Sequence, residues 1–238
     1  MSVLSQLRDD IRRLRRSECS LVRSLWLRLW LYSHGKDILP HHLVEIVGAK
    51  NIESNGRLDI GTSFVGFSSR HDRTLIRVRG RLVTSPGTYI GRGCHFDIGP
   101  DAMCRIGRSY ILADTTVIVM NKLTIGDGCA ISWGCQFLDD DFHLLHYNGS
   151  RPKSMPIVVG DHVWIGSRVL VLKGVTIPSG CVVAAGSIVT RMFDEENVLI
   201  AGQPARVIKH GIRWGGKAGE HLASVAQPYE SACATQKL

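Results

Sequence analysis

The sequence contains no CxxC pair, no apolar run long enough to cross a bilayer, and fewer acidic than basic side chains, 21 against 29. Each lack removes a class. The seven cysteines are scattered at 19, 94, 104, 129, 135, 181 and 233. An odd, unpaired set argues against both a disulfide framework and a cysteine-rich metal site, and points to reduced thiols and a cytoplasmic location. Asp and several Arg precede the first apolar stretch, which does not fit a secretory leader, and no segment reads as a membrane span. The formal net charge of +8 favours anionic partners, although Arg12, Arg13, Arg15, Arg16 and Arg23 concentrate much of it near the start. With 238 residues, 44% hydrophobic and 21% charged, the chain has the composition of a folded protein with one sizeable core.

Residues 3–33 read as helical. Leu4, Leu7, Ile11 and Leu14 recur at steps of three or four, no Gly or Pro interrupts, and Ser33-His34-Gly35 offers a stop. The run from Leu21 to Leu31 is apolar with Arg23 and Arg28 inside it. Two readings are open: a helix packed on its own domain or on a sister subunit, which we take first, and a basic amphipathic helix in peripheral contact with an anionic membrane at its inner face.

Beyond residue 50 the pattern changes. From Val159 an aliphatic, β-branched residue leads every sixth position: Val159, Ile165, Val171, Ile177, Val183 and Val189. Four places after each of the first five comes Val163, Val169, Val175, Cys181 or Ser187. An interrupted version appears earlier, at Ile90, Ile98 and Ile106, then Leu112 and Ile118, then Ile125, Ile131 and Phe137. Cys94, Cys129, Cys135 and Cys181 fall four places after a lead, so they read as small packing residues. A six-residue period is too short for a helical repeat and is no plain alternation. It fits a coil in which each hexapeptide makes one flat side and a turn, three sides make a triangle, and stacked triangles bury ladders of leads. Gly one place after a lead suits a corner that needs backbone freedom and close approach.

The run from Val159 to Thr190 resembles the hexapeptide-repeat acyltransferases, and the resemblance extends over roughly residues 50–214. Ile200-Ala201-Gly202-Gln203-Pro204-Ala205-Arg206-Val207-Ile208-Lys209 looks like that family's closing segment. Asp-Phe-His ahead of a long loop, His162-Val163-Trp164 and Ile212-Arg213-Trp214 are similar to bacterial capsule and polysaccharide O-acetyltransferases, including those acting on sialic-acid polymers. The resemblance implies a mainly β protein, a left-handed parallel β-helix with an N-terminal helical segment. It divides as 1–45 helical, 46–200 coil with an active-site loop at 138–158, and 201–238 cap and tail. It also implies a homotrimer with sites between neighbouring coils.

Between Phe137 and Val159 the six-step register breaks, and the loop holds three consecutive Asp, two His, a Tyr and an Arg. Polar excursions from a rigid scaffold tend to carry chemistry. Acetyl transfer from a thioester to a hydroxyl needs a base for the hydroxyl proton, and a neutral imidazole, of ordinary pKa about 6.5, suits it. A backbone N–H can hold the oxyanion. Neither a metal nor a covalent enzyme intermediate is needed. The family motif Asp-x-His places His143 first and His146 second. Asp141 is the orienting carboxylate by position, with Asp139 and Asp140 open alternatives; Leu144 stands where the family often has Pro.

For acetyl-CoA as donor, the resemblance puts Trp164 beside the pantetheine arm. Turn amides of Gly166, Ser167, Ala185 and Gly186 could meet its carbonyls. Arg206 and Lys209 fall where the nucleotide phosphates would sit, with Lys173 and Arg191 as further cations. Tyr147 and Arg151 are the acceptor candidates, and Trp133 stays outside the site. The expected partners are a glycan or other hydroxyl acceptor and sister subunits, not nucleic acid. Three other readings remain: a small acceptor such as serine, a free sugar or a sugar amine; a zinc hydratase like the γ-type carbonic anhydrases, disfavoured because His143 and His146 are three apart; and a non-enzymatic scaffold.

Overall fold

The computed structural model describes residues 3–62, 69, 71–144, 146, 148–149 and 151–215. Two helices, α1 (Val3–Arg16) and α2 (Leu21–Ser33), precede a coil of short strands. Among the described residues the strands form three sheets of nine, seven and six members, and every pairing between successive turns of the coil is parallel. The chain visits the three sheets in rotation, so each sheet is one face of a triangular prism; the coil is a left-handed parallel β-helix. The first strand, Ile38–Pro40, already lies within the stretch read as helical up to residue 45. The last described strand, Ala205–Lys209, turns back antiparallel on Leu199–Gly202 and closes the nine-stranded face.

The hexapeptide leads are the core. Ile131, Ile165, Val183 and Ile200 stack on one face, and Phe137, Val171 and Val189 on the next. All are fully buried. Each buried aliphatic side chain contributes about 1.5–3 kcal/mol. Val163, Val169, Val175, Cys181 and Ser187, four places on, are buried at the corners as expected. Cys94, Cys129, Cys135 and Cys181 are free thiols in the same role, their pKa pushed up first by burial.

Earlier in the coil the expected register is off by one. Leu112 and Ile118 are only half-buried, while Ile111 and Val117 point inward. The cause is turn length. Ile165 stacks on Val183 at a step of 18 residues, but Ile90 to Ile111 takes 21 and Ile111 to Ile131 takes 20. Extra residues at the corners shift the phase, and in a strand a shift of one exchanges inside for outside.

The two glycine positions of the repeat answer different demands. At Gly166, one place after a lead, an added Cβ would lie 2.6 Å from the Ala185 backbone nitrogen of the next coil. At Gly186, three places after a lead, nothing lies within 4 Å, but φ is +70°. Gly166→Ala is therefore expected to push adjacent coils apart and cost about 1–3 kcal/mol, read as a lower denaturant midpoint at unchanged m.

The helical segment is two helices, not one. Glu18 takes φ +53°, and Ser17 Oγ donates to the Leu14 carbonyl at 2.8 Å, closing α1 without Gly or Pro. The break lets Asp10 of α1 meet Arg28 of α2. The Arg28 guanidinium is buried, with Nε 3.2 Å from Asp10 and Nη2 2.7 Å from Asp37. Arg57 on the coil bonds the other Asp10 oxygen at 2.6 Å, and Arg92 Nη2 donates to the Ser17 carbonyl at 2.7 Å. Of the expected apolar stripe only Leu14 is fully buried; Leu7 is exposed and Ile11 half-buried, while the Leu4 side chain lies outside the described residues.

His41 sits under this junction, 1% exposed. Burial first, then the charges of Arg92 and His42, lower its pKa to about 3. A histidine neutral when folded and chargeable when unfolded makes stability rise with pH between the two pKa values. Folding stability is expected to fall by about 2 kcal/mol from pH 7 to pH 5 through this group. His41→Gln should flatten that slope in urea titrations at the two pH values.

Candidate active site

The coil is interrupted between Leu138, on the seven-stranded face, and Ile157, on the six-stranded face, so the expected loop stands on the edge between those two faces. Its base is an antiparallel stem. Met155 N–H donates to the Asp139 carbonyl, Asp141 N–H donates to the Lys153 carbonyl, both at 3.0 Å, and Asp140 bridges Ser154.

The three aspartates do three different things. Asp139 is fully buried, and its carboxylate accepts the N–H groups of Met120, Asn121 and Lys122 at 2.7, 2.8 and 2.8 Å, pinning the loop to the corner of the preceding coil. Burial pushes its pKa up, and the three N–H donors oppose that. The Asp140 carboxylate accepts the Phe142 N–H at 2.5 Å, with Lys153 Nζ 3.6 Å away. The Asp141 carboxylate pairs with Lys173 of the following coil, and Lys173 Nζ also donates to the Pro152 carbonyl at 2.6 Å. Lys173 is thereby a loop anchor rather than a free cation.

His143 is exposed beyond this stem, between the exposed side chains of Phe142 and Leu144. Its Nδ1 lies 3.2 Å from the Asp141 carbonyl oxygen. A carbonyl only accepts, so Nδ1 is the donor in this contact, and Nε2 is the ring nitrogen left to act as a base. Asp141 thus meets His143 through its main chain, while its carboxylate is engaged by Lys173; the expected carboxylate–imidazole pair is not formed. His146 is exposed. Arg151 lies along the same edge, with Nη1 3.5 Å from the Thr190 carbonyl. Tyr147 lies outside the described residues.

The residues expected around the donor occupy the other side of the prism. Trp164 is on the nine-stranded face, 42% exposed, its Nε1 donating to Ser132 Oγ at 3.2 Å. Gly166, Ser167, Ala185 and Gly186 form the edge between that face and the seven-stranded one. Two of their amides are already used: Gly166 N–H bonds the Val183 carbonyl at 2.8 Å and Gly186 N–H the Ser167 carbonyl at 2.9 Å. The amides of Ser167 and Ala185 make no backbone hydrogen bond among the described residues. Arg206 and Lys209 are exposed on the closing hairpin of the nine-stranded face. Arg191 lies over the Phe193 ring at 5.5 Å.

Trp214 is a site feature that sequence reasoning used only as part of a motif. It stacks on His162 with centroids 4.3 Å apart and planes at 11°, donates Nε1–H to the His162 carbonyl at 2.8 Å, and stands 6.1 Å from Trp164. The return of the chain after the coil thus builds an aromatic wall that no local pattern encodes. No three His, Cys, Asp or Glu side chains converge as a metal set among the described residues.

A rigid triangular coil with a pinned, histidine-bearing loop defines the class as β-helical proteins with an inserted working loop. Residues 156–191 match the family model described as hexapeptide repeat of succinyl-transferase. An uncharacterised 24.8 kDa protein from the cps region of Klebsiella pneumoniae is 38% identical over 205 residues, 85% of this chain and 92% of that protein. The galactoside O-acetyltransferase of Escherichia coli K12 is 36% identical over 128 residues, 52% of this chain and 58% of that protein. The crystal structure of the polySia-specific acetyltransferase NeuO shares the fold at a TM-score of 0.52 and 22% identity, covering 80% of this chain and 85% of that one. The chain belongs to the hexapeptide-repeat acetyltransferase family.

Proposed function

We propose that the protein moves an acetyl group from acetyl-CoA to a sugar hydroxyl of a bacterial surface polysaccharide or its precursor, with His143 as general base. The observation that carries this reading is the His143 Nδ1 contact to the Asp141 carbonyl on a loop pinned at Asp139, which leaves Nε2 free to act. Nε2 takes the hydroxyl proton as the oxygen attacks the thioester carbonyl. The tetrahedral oxyanion then collapses, the C–S bond breaks, and the coenzyme thiolate recovers the proton from the imidazolium. Asp141 acts as a positioning residue, its carboxylate tied to Lys173 and its carbonyl to the ring. The Ser167 and Ala185 amides and the Trp164 indole suit an extended amide-bearing arm, and Arg206 and Lys209 suit phosphates.

His143 stands on the edge opposite the face that carries Trp164 and the closing hairpin. That separation within one chain supports a trimer in which the loop of one subunit faces the nine-stranded face of the next. Arg151 is on the loop's edge, where an anionic acceptor would meet it. The galactoside O-acetyltransferase relative keeps a second reading alive, a small sugar acceptor.

The test is thiol release from acetyl-CoA with acidic glycans, neutral glycans, galactosides and serine, wild type beside His143→Ala. Polysaccharide-dependent release lost in the variant supports the reading. Release with galactosides or serine alone replaces the acceptor, and release unaffected by the variant overturns the base.

A further inference from the structure

Helix α2 is folded inside out for a helix that only caps a core. Its inward side buries Ser24 and Arg28 beside Leu31. Its outward side carries Val22, Trp26, Leu29 and Trp30, spaced 0, 4, 7 and 8 and exposed at 82, 66, 64 and 42%. Burying a guanidinium is costly unless it is paired, and here it is paired: Asp10, Asp37 and the Ile38 carbonyl hold it. The sequence thus spends a buried ion-pair cluster on fixing the rotation of α2, and that rotation aims two indoles and two aliphatic side chains at solvent. A contiguous apolar face of this kind marks an interaction surface.

The adjoining helix supplies the charge. Arg8, Arg12, Arg15 and Arg16 lie exposed along one side of α1. Arg12 is shared with Asp9, while Arg8, Arg15 and Arg16 have no carboxylate partner among the described residues. The opposing acids are few: Asp10 is buried, Asp9 is held by Arg12, α2 contains none, and Glu18 stands exposed between the two helices. Both helices lie against the first turns of the nine-stranded face, through Arg28 to Ile38 and Arg13 to Asp59.

We propose that α1 and α2 together dock the enzyme on an anionic lipid bilayer. Trp26, Trp30, Val22 and Leu29 enter the interfacial layer, and Arg8, Arg15 and Arg16 meet lipid phosphates. Indoles favour the interface because an apolar ring and a polar N–H are both accommodated there. Arginines near a negative leaflet gain from its surface potential. None of the described helices is long and apolar enough to cross a membrane, so the contact is peripheral. This inference is independent of the acetyl-transfer reading.

The experiment is co-sedimentation of the full chain with vesicles of phosphatidylcholine alone and of phosphatidylcholine mixed with phosphatidylglycerol, at low and high salt, with subunit number measured in parallel. Binding is expected to the anionic vesicles, weakening as salt rises. The pair Trp26→Ser and Leu29→Ser should lower it about tenfold or more. The triple Arg8→Gln, Arg15→Gln and Arg16→Gln should lower it similarly and remove most of its salt dependence. All five side chains are exposed, so circular dichroism and subunit number should match wild type. No binding to anionic vesicles overturns the proposal, and so does binding that survives both variants. A change of subunit number in Trp26→Ser/Leu29→Ser without loss of vesicle binding assigns the face to another copy of the chain and equally overturns it.

Discussion

Replacing His143 by alanine is expected to lower turnover about 10²–10⁴-fold, the range over which a positioned acid–base group contributes. Thermal stability should not change, because the ring is exposed and its hydrogen bond is to a main-chain carbonyl of its own loop. His143→Gln should not rescue activity, since an amide nitrogen has no basic lone pair at neutral pH. Thiol release at saturating acetyl-CoA reads the effect, with calorimetry on the same samples. A fall in turnover of less than about tenfold in His143→Ala would move the base elsewhere, and His146→Ala is then the next variant to measure.

The second large effect belongs to Asp139 and is one of stability as well as activity. Asp139→Ala removes the acceptor for three N–H groups at one corner of the coil. Unsatisfied buried donors cost about 1–3 kcal/mol each, and these three are partly buried, so a loss of about 3 kcal/mol is expected. For a folded unit of this size that corresponds to a drop of roughly 6–12 °C in Tm. The loop stem hangs from the same residue, through its carbonyl to Met155 and Ser154, so turnover should fall with stability. Asp141→Asn separates the two effects. It weakens the Lys173 pair, keeps the carbonyl that holds His143, and is expected to change Tm little while lowering turnover by less than His143→Ala. Equal losses of turnover in Asp141→Asn and His143→Ala, with Asp139→Ala silent, would reverse these roles.

The adjacent aspartates show where reading along the chain stops. The sequence offers three carboxylates within four residues of His143 and no means to rank them, because the partners of Asp139 and Asp141 are 17 to 32 residues away. Asp139 turns inward to a corner of the preceding coil, Asp140 caps its own turn, and Asp141 reaches the following coil. Likewise Trp214 joins His162 and Trp164 only because the chain comes back across the coil after residue 209. In the helical segment, apolar spacing alone suggests that α2 should turn its aromatics inward. The Asp10–Arg28–Asp37 cluster decides the opposite, and it exists only once the chain breaks at Glu18.

By itself, then, the sequence determined the repeating side of the coil, the leads that fill its core from Val159 onward, and the loop that leaves it. Hexapeptide period and aliphatic spacing are local properties, and stacking like on like needs nothing further. Tertiary structure alone decided the phase around Leu112, the orientation of α2, the partner of each aspartate, and the placing of His143 on the edge opposite Trp164. Those depend on how many residues each turn has accumulated and on contacts between distant segments, which a periodicity does not count.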